Sequence, residues 1–422
     1  MTLIKTATLT SISTFIKMLV GFFVNKIVSV YAGPTGLALV GQLMSFNSIV
    51  ITMANGAITQ GVIKYTAEYK NDVEQKNRIF SSALVISIGC SLITCLLLFG
   101  FSSSLSQLIL ETNTFSSVFL VFGVTIPLFS LNTLFMAILN GQKEIKKYTL
   151  VNIASSIFLF FITSILVTNL GLIGALYSLV INQSIVFFVT VFFVIRSSWF
   201  KLSNFTVGID KKSAKKLLKY SLMALSTALT LPLSHIIIRN YIGENINWES
   251  AGYWQAILYI SNIYLLVITT SLGVYYLPRL SEIQTRKELK EEIISGYKVI
   301  LPIAVLMALA IYLMREFVVG LAFTNEFLPM MNLFKWQLIG DVIKIASWIL
   351  SYVLLAKAMT RAYIFTEILF NGSFVIISII AINNFGLIGA TYAFCINYIL
   401  YFIVVLCVIL NANIKFQPKA DA

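Results

Sequence analysis

The segment WQLIGDVIKIASW, residues 336–348, places an acid and a base inside a long apolar run. Asp341 and Lys344 are three positions apart, so on a helix they share a face with Gln337 and Trp348. A charged side chain at the centre of a bilayer costs roughly 2.5–3.5 kcal/mol on insertion scales, and it usually faces a cavity or a partner. The pattern predicts either groups that bind a charged ligand or a buried structural ion pair between Asp341 and Lys344.

Acids are scarce inside the other apolar runs, whereas bases are more numerous. Only Asp341 and Glu367 lie well inside such runs, and Glu367 shares a helical face with Tyr363, Asn371 and Ser378. The bases in comparable places are Lys17, Lys26, Arg239, Lys335 and Lys344. With the two acids they sum to a charge of +3. Because Arg and Lys are natural partners of phosphate oxygens, this sign predicts an anionic substrate.

The predicted substrate-binding residues are Lys17, Lys26, Arg239 and Lys344. We expect Asp341 to orient Lys344, and Glu367 to be a protonation or coupling site. The alternative for Lys26 and Arg239, which lie near the predicted outer surface, is snorkelling to the headgroups.

Polar residues follow a helical spacing in several other apolar runs. Ser45, Ser48, Thr52, Asn55 and Thr59 form one such stripe, which either lines a lumen or holds helices together by hydrogen bonds. The predicted lumen-lining polar residues are Thr52, Asn55, Gln337 and Asn371. The single histidine, His235, follows Pro232 on its helix, and we favour a neutral side chain there over a proton relay.

Catalytic, cofactor and metal motifs are absent from the sequence. It has one histidine, no Gly-rich phosphate loop ending in Lys, and no His-Glu-x-x-His motif. The four cysteines lie in apolar runs without the spacing of metal ligands. We therefore expect no enzyme, no cofactor and no resident metal. The basic residues flank apolar runs instead of forming one patch, which argues against nucleic-acid binding.

The elements that must position these residues are membrane-spanning helices. The 422 residues are 58% hydrophobic and only 11% charged, with a mean hydropathy of +0.90. Repeated apolar runs of about 20 residues are typical of transmembrane helices. We predict twelve spans at about 8–31, 37–61, 80–103, 117–140, 148–168, 171–195, 218–241, 250–277, 294–314, 329–355, 362–382 and 386–410.

The basic residues also predict the orientation. Of the 30 Lys and Arg residues, 24 lie at the two termini or in the even-numbered connections, and the odd-numbered connections have almost none. Positive residues accumulate on the cytoplasmic side. We therefore expect both termini in the cytoplasm of a multi-pass membrane protein.

The two halves of the chain carry a repeat. NLGLIGALYSLVIN (169–182) matches NFGLIGATYAFCIN (384–397) at nine of fourteen positions, with an offset of 215 residues. Six spans separate the copies, so the halves share one orientation, which is typical of two similar bundles. A common small-residue packing motif is the alternative. We predict an N-terminal lobe at 1–195, a cytoplasmic linker at 196–217, a C-terminal lobe at 218–410 and a cytoplasmic tail at 411–422.

Several of these segments resemble one family over essentially the whole chain. STFIKMLVGFFVNKIVSVYAGPTGLALVGQ, GVIKYTAEY, LPRLSEIQTRKELKEEI, WQLIGDVIKIASW and the second GLIGA are similar to Wzx-type flippases. These proteins move repeat units of O antigen or of enterobacterial common antigen. They form the polysaccharide-transport branch of the superfamily that includes multidrug and toxin extruders.

The resemblance implies two six-helix bundles arranged as a V around a cationic lumen. It also implies transfer of an undecaprenyl-pyrophosphate-linked oligosaccharide to the periplasmic leaflet by alternating access, with H+ or Na+ coupling left open. The polymerase and the chain-length regulator of the same pathway would be partners, besides the phospholipid bilayer. The alternative is a drug or cation antiporter of the same fold, although such substrates favour acidic cavities. A polysaccharide polymerase or ligase would need large periplasmic loops, which the sequence lacks.

Overall fold

Helices form the fold in the computed structural model, which describes residues 3–357 and 359–411, and no strand occurs in these ranges. The first seven helices are α1 (Leu3–Ala54), α2 (Thr59–Glu68), α3 (Val73–Gly100), α4 (Ser102–Leu110), α5 (Ser116–Gly141), α6 (Ile145–Ile195) and α7 (Lys211–Asn245). The next seven are α8 (Trp248–Ser271), α9 (Leu277–Glu282), α10 (Arg286–Leu313), α11 (Arg315–Ala322), α12 (Phe334–Ala356), α13 (Thr360–Phe385) and α14 (Ile388–Asn411). The predicted tail after residue 411 lies outside the described residues.

The helices agree with the predicted spans. Within the described ranges, nine helical segments are long and apolar enough to cross a membrane. Two of them are longer than a bilayer requires, because α1 and α6 each contain two predicted spans joined at a non-helical glycine, Gly33 and Gly171. α7 covers the seventh predicted span but is not among the nine. The prediction of an all-α, multi-pass membrane protein is confirmed.

The repeat detected in the sequence has the same backbone geometry in both copies. Gly171 has φ 59° and ψ −134°, and Gly386, which is 215 residues later, has φ 65° and ψ −151°. A side chain at either position would be strained, because positive φ is rarely adopted by L-residues. The sequence repeat therefore marks a structural break between consecutive helices, which favours duplication over a chance packing motif.

A close backbone contact accompanies each break. A Cβ atom at Gly174 would lie 2.0 Å from the carbonyl oxygen of Leu166, and one at Gly389 would lie 2.1 Å from that of Ala381. These residue pairs are again related by the offset of 215. The second glycine of each copy is thus needed for the two helix ends to approach one another.

Replacing Gly389 with alanine should lower the thermal unfolding midpoint of the detergent-solubilised protein. The new Cβ has to displace backbone, and overpacking of this kind costs at least about 1–3 kcal/mol. The matched control is Gly372→Ala on α13, where an added Cβ would meet no atom within 4 Å. That change should be neutral or stabilise by about 0.5–1 kcal/mol, because alanine is the better helix former. Equal midpoints for the two variants would contradict the close contact.

The described chain divides into two compact units, Met1–Ile236 and Ile237–Ala422. The division falls inside α7, later than the predicted linker at 196–217, so the beginning of α7 belongs to the N-terminal unit. Its contacts explain this. Leu217 packs against Gly61, and the Ser221 hydroxyl donates to the Gly56 carbonyl oxygen at 2.8 Å.

The predicted linker itself packs on α3. The ring of Phe205 stacks on that of Phe80, with centroids 5.6 Å apart. The Ser81 hydroxyl donates to the Phe205 carbonyl oxygen at 3.1 Å and accepts from the Gly208 amide at 2.8 Å. Asp210 then caps α7 by accepting from the Ser213 amide at 2.8 Å, and the hydrogen bonds from Ser213 lower the pKa of the Asp210 carboxyl.

Candidate functional site

A buried carboxylate on α12 is the centre of a hydrogen-bonded polar cluster in the C-terminal unit. Asp341 is fully buried, and its Oδ2 accepts hydrogen bonds from the Ser261 hydroxyl at 2.6 Å and the Tyr264 hydroxyl at 2.9 Å, both on α8. Its Oδ1 accepts from Gln337 Nε2 at 3.3 Å, one turn earlier on α12. Three donors therefore replace the water that the carboxylate loses on burial. These four residues are called the Asp341 cluster below.

The ion pair between Asp341 and Lys344, which was the alternative interpretation of their spacing, is not among the contacts of the described residues. The ion pairs within 4.0 Å among the described residues are Arg78–Glu74, Arg78–Asp210, Lys147–Glu144, Arg279–Glu282 and Arg279–Glu292. A spacing of three residues places two side chains on one face of a helix, but each of them also has neighbours on other helices. α8 provides hydroxyl donors to Asp341, whereas α14 provides aromatic rings to Lys344.

Lys344 is partly buried among aromatic side chains. Its ammonium nitrogen lies 5.0 Å from the ring centroid of Trp348, 5.7 Å from that of Tyr398 and 5.8 Å from that of Phe394. Ring faces attract a cation without neutralising it, so the charge remains available to an anion. We call these four residues the Lys344 site. Their chemistry fits a phosphate oxygen on the ammonium group and a sugar ring against the aromatic side chains.

Glu367 on α13 is the second acid of this region. Its Oε1 accepts from the Tyr401 hydroxyl at 3.3 Å, and its Oε2 lies 3.5 Å from Asn371 Nδ2. The Tyr401 hydroxyl also lies 2.9 Å from Ser351 Oγ on α12. The two contacts of Glu367 are longer than those of Asp341 with Ser261 and Tyr264, and Glu367 is only partly buried. Its carboxylate is accordingly the more accessible of the two to an exchanging proton or cation.

Arg239 is enclosed, and it does not snorkel to the surface. Its side chain is 1% exposed, its Nη2 donates to Gln255 Oε1 at 2.6 Å, and its guanidinium lies 5.6 Å from the ring centroid of Trp254. Gln255 and Trp254 are both on α8. The structure therefore gives Arg239 a role in fixing α7 to α8, and its predicted contact with substrate stays a prediction.

The remaining predicted residues belong to the N-terminal unit. Lys17 is exposed and Lys26 is partly buried on α1. The Thr52 hydroxyl donates to the Ser48 carbonyl oxygen at 2.9 Å within its own helix. Asn55 is buried, and its Oδ1 accepts from the Ser130 hydroxyl at 2.7 Å. Asn55, which directly follows α1, therefore joins the end of α1 to α5. This contact agrees with the alternative in which the polar stripe holds helices together.

Several residues of the two sites were not predicted from sequence. Ser261 and Tyr264 are three positions apart in the apolar run of α8, so the same helical spacing that identified Asp341 was available for them. Phe394 and Tyr398 are four apart on α14, but an aromatic pair in a transmembrane helix is common and carries little signal. Among the described residues, no group of three or more His, Cys, Asp or Glu is placed to hold a metal ion.

Known proteins resemble this chain over most of its length. The family model described as "Polysaccharide biosynthesis protein" matches residues 3–284. The chain belongs to this family. Proteins named lipid III flippase, from Escherichia coli K12 and from Shigella flexneri, are 29% identical to it over 405 residues, which is 95% of this chain and 97% of each relative.

The fold of this chain is similar to that of several solved structures. An inward-facing multidrug resistance MATE transporter of the MOP superfamily aligns with a TM-score of 0.77 at 15% identity, covering 93% of this chain and 94% of the transporter. The lipid II flippase MurJ in an inward closed conformation aligns with a TM-score of 0.74 at 19% identity, covering 95% and 87%. The helices of this chain therefore follow the MOP transporter fold.

Proposed function

We propose that this protein is a flippase that moves a lipid-linked oligosaccharide from the cytoplasmic to the periplasmic leaflet of the bacterial inner membrane. The observation that carries the proposal is the full-length similarity to the lipid III flippase of Escherichia coli, at 29% identity over 95% of the chain. The substrate class we assign is an undecaprenyl-pyrophosphate-linked repeat unit, of the O-antigen or enterobacterial common antigen type.

The chemistry of the C-terminal unit supports this substrate class. A pyrophosphate is an anion, and the Lys344 site offers an ammonium group that has no carboxylate within 4.0 Å in the described structure. Trp348 and Tyr398 add ring faces and Asn371 adds an amide, which are the groups that bind sugars through stacking and hydrogen bonds. Glu367 is the acid we propose for H+ or Na+ coupling during alternating access. The pathway's polymerase and chain-length regulator remain proposed partners.

Complementation tests the proposal directly. Expression of the chain in an Escherichia coli strain that lacks its lipid III flippase should restore enterobacterial common antigen, and a strain that lacks its O-antigen flippase supplies the second substrate. The amount of surface polysaccharide is measured in each strain at matched protein levels. Restoration in one strain assigns the substrate, whereas failure in both strains with normal membrane insertion contradicts the two substrates named.

The structural likeness to a multidrug transporter favours one alternative, a drug or cation antiporter. The same expression strains distinguish it. An antiporter should raise resistance to cationic dyes and drugs without restoring polysaccharide, and this combination would replace the flippase assignment.

A further inference from the structure

An apolar groove lies between α10 and α12 in the C-terminal unit, apart from the Asp341 cluster and the Lys344 site. Its volume is about 270 Å³. Its apolar lining residues are Val305, Ala308, Leu309, Leu338 and Ile339. Tyr312 and Lys335 line the end that corresponds to the C-terminus of α10 and the N-terminus of α12. The groove therefore has an apolar body and a polar end.

The groove is on a surface of the protein that faces lipid. Only 17% of the residues in the most apolar window of α10 are buried, and Leu306 and Leu313 are 65% and 71% exposed. In a membrane-spanning helix, apolar side chains exposed to this degree contact acyl chains. The occupant of the groove is therefore to be sought among membrane lipids.

Two bases are associated with the polar end of the groove: Lys335 lines it, and Arg315 contacts the lining residue Tyr312. The Arg315 guanidinium lies 4.7 Å from the ring centroid of Tyr312, and its Nη1 donates to the Tyr312 carbonyl oxygen at 2.9 Å. Lys335 is exposed, and its ammonium nitrogen lies 5.6 Å from the ring centroid of Trp336. In the described part of the chain neither base forms an ion pair within 4.0 Å, although Glu316 and Glu326 are nearby in sequence. Both positive charges are therefore available to an anion at the membrane surface.

We propose that this groove binds an anionic glycerophospholipid, with one acyl chain along α10 and α12 and the phosphate between Lys335 and Arg315. Basic groups beside transmembrane helices attract anionic headgroups, and aromatic rings at this depth occupy the interfacial layer. By the predicted orientation, the site is in the periplasmic leaflet, because the basic N-terminal end of α10 is cytoplasmic.

The dimensions of the groove favour a phospholipid over the polyprenyl carrier. From Val305 to Tyr312 it follows eight residues of α10, and the seven helical steps between them rise about 10 Å. Half of a hydrocarbon core is about 15 Å thick, so one acyl chain of one leaflet matches this length. A polyprenyl chain is several times longer. The groove is also separate from the residues proposed for transport, so its assignment is independent of the proposed function.

Native mass spectrometry of the purified full-length protein tests the site. Phosphatidylglycerol and phosphatidylcholine with identical acyl chains are added at equal concentration, and the bound ratio is measured. We expect phosphatidylglycerol to be preferred. In the Lys335→Ala, Arg315→Ala double variant, the ratio of bound phosphatidylglycerol to bound phosphatidylcholine should fall roughly tenfold. The matched control is Lys290→Ala, which removes an exposed base at the opposite end of α10 and should leave the ratio unchanged.

Two further arms identify the occupant. Ala308→Phe fills the groove and should reduce binding of both phospholipids, whereas glycerol phosphate, which has no acyl chain, should bind poorly to every variant. An equal ratio for the two lipids on the unmodified protein, or an unchanged ratio in the double variant, would overturn the proposal. Displacement of bound phosphatidylglycerol by a polyprenyl phosphate at equal concentration would overturn the choice of occupant.

Discussion

Lys344→Met should abolish most polysaccharide transport while the C-terminal unit remains folded. Lys344 has no acidic partner within 4.0 Å in the described structure, so its removal breaks no ion pair. Methionine keeps the length and packing of the side chain among Trp348, Phe394 and Tyr398. An ammonium group that binds phosphate is worth about 1.5–3 kcal/mol, which corresponds to a roughly 10-fold to 100-fold loss of transport.

The measurement is surface polysaccharide in the complementation strain, together with the thermal midpoint of the purified variant. Lys344→Arg keeps the charge and should retain part of the activity, although the larger guanidinium fits the three rings differently. Lys290→Ala is the control for a general loss of positive charge, because Lys290 is exposed and distant from Lys344 in the sequence. Normal polymer from Lys344→Met at normal expression would rule out a substrate-binding role for this residue.

Asp341→Ala should have the largest effect on stability of any single change in the C-terminal unit. It removes the acceptor of three hydrogen bonds and leaves Ser261, Tyr264 and Gln337 buried with unpaired donors. Each unsatisfied donor costs about 1–3 kcal/mol, and the change also creates a cavity. We expect little folded protein in the membrane, measured as the loss of the monodisperse peak in size-exclusion chromatography of the solubilised protein.

Asp341→Asn separates this structural role from a need for negative charge. One oxygen can still accept from Ser261 and Tyr264, and the Gln337 amide can turn so that its Oε1, which has no hydrogen-bond partner in the described structure, accepts from the new nitrogen. We therefore expect a folded protein with near-normal transport. A folded but inactive variant would show instead that the negative charge of Asp341 is itself required.

Glu367→Ala is the matched control for Asp341→Ala, because it removes a carboxylate that is only partly buried. Its two contacts, at 3.3 and 3.5 Å, are longer than those of Asp341 with Ser261 and Tyr264. We expect a smaller loss of stability than for Asp341→Ala. A comparable loss would mean that neither the deeper burial of Asp341 nor its third donor decides the cost.

The membrane spans were predictable because the bilayer imposes one simple requirement, a run of about 20 apolar residues. Two predicted spans also begin at about residues 171 and 386, where the structure has the breaks at Gly171 and Gly386. The continuity of α1 and α6 across their glycines was not predicted, because a single residue at positive φ suffices to join two spans without a loop.

Partners of the buried charges were harder to predict. Helical spacing correctly placed Gln337 beside Asp341, which is a contact within one helix. It wrongly paired Asp341 with Lys344, because the decisive neighbours, Ser261 on α8 and Tyr398 on α14, are 80 and 54 residues away in the chain. Tertiary packing decides which side chains of other helices contact a buried charge, and the residue pattern of a single span does not contain this information.

The shared breaks at Gly171 and Gly386 have a consequence for how the two halves diverged. The offset of 215 pairs Asp341 with Ile126, Lys344 with Phe129 and Glu367 with Asn152. A duplicated scaffold that is held by backbone glycines does not need matching side chains to keep its shape. One copy can therefore carry ionisable side chains at positions where its twin has Ile126, Phe129 and Asn152, so the glycine breaks repeat in both halves while the side-chain chemistry differs.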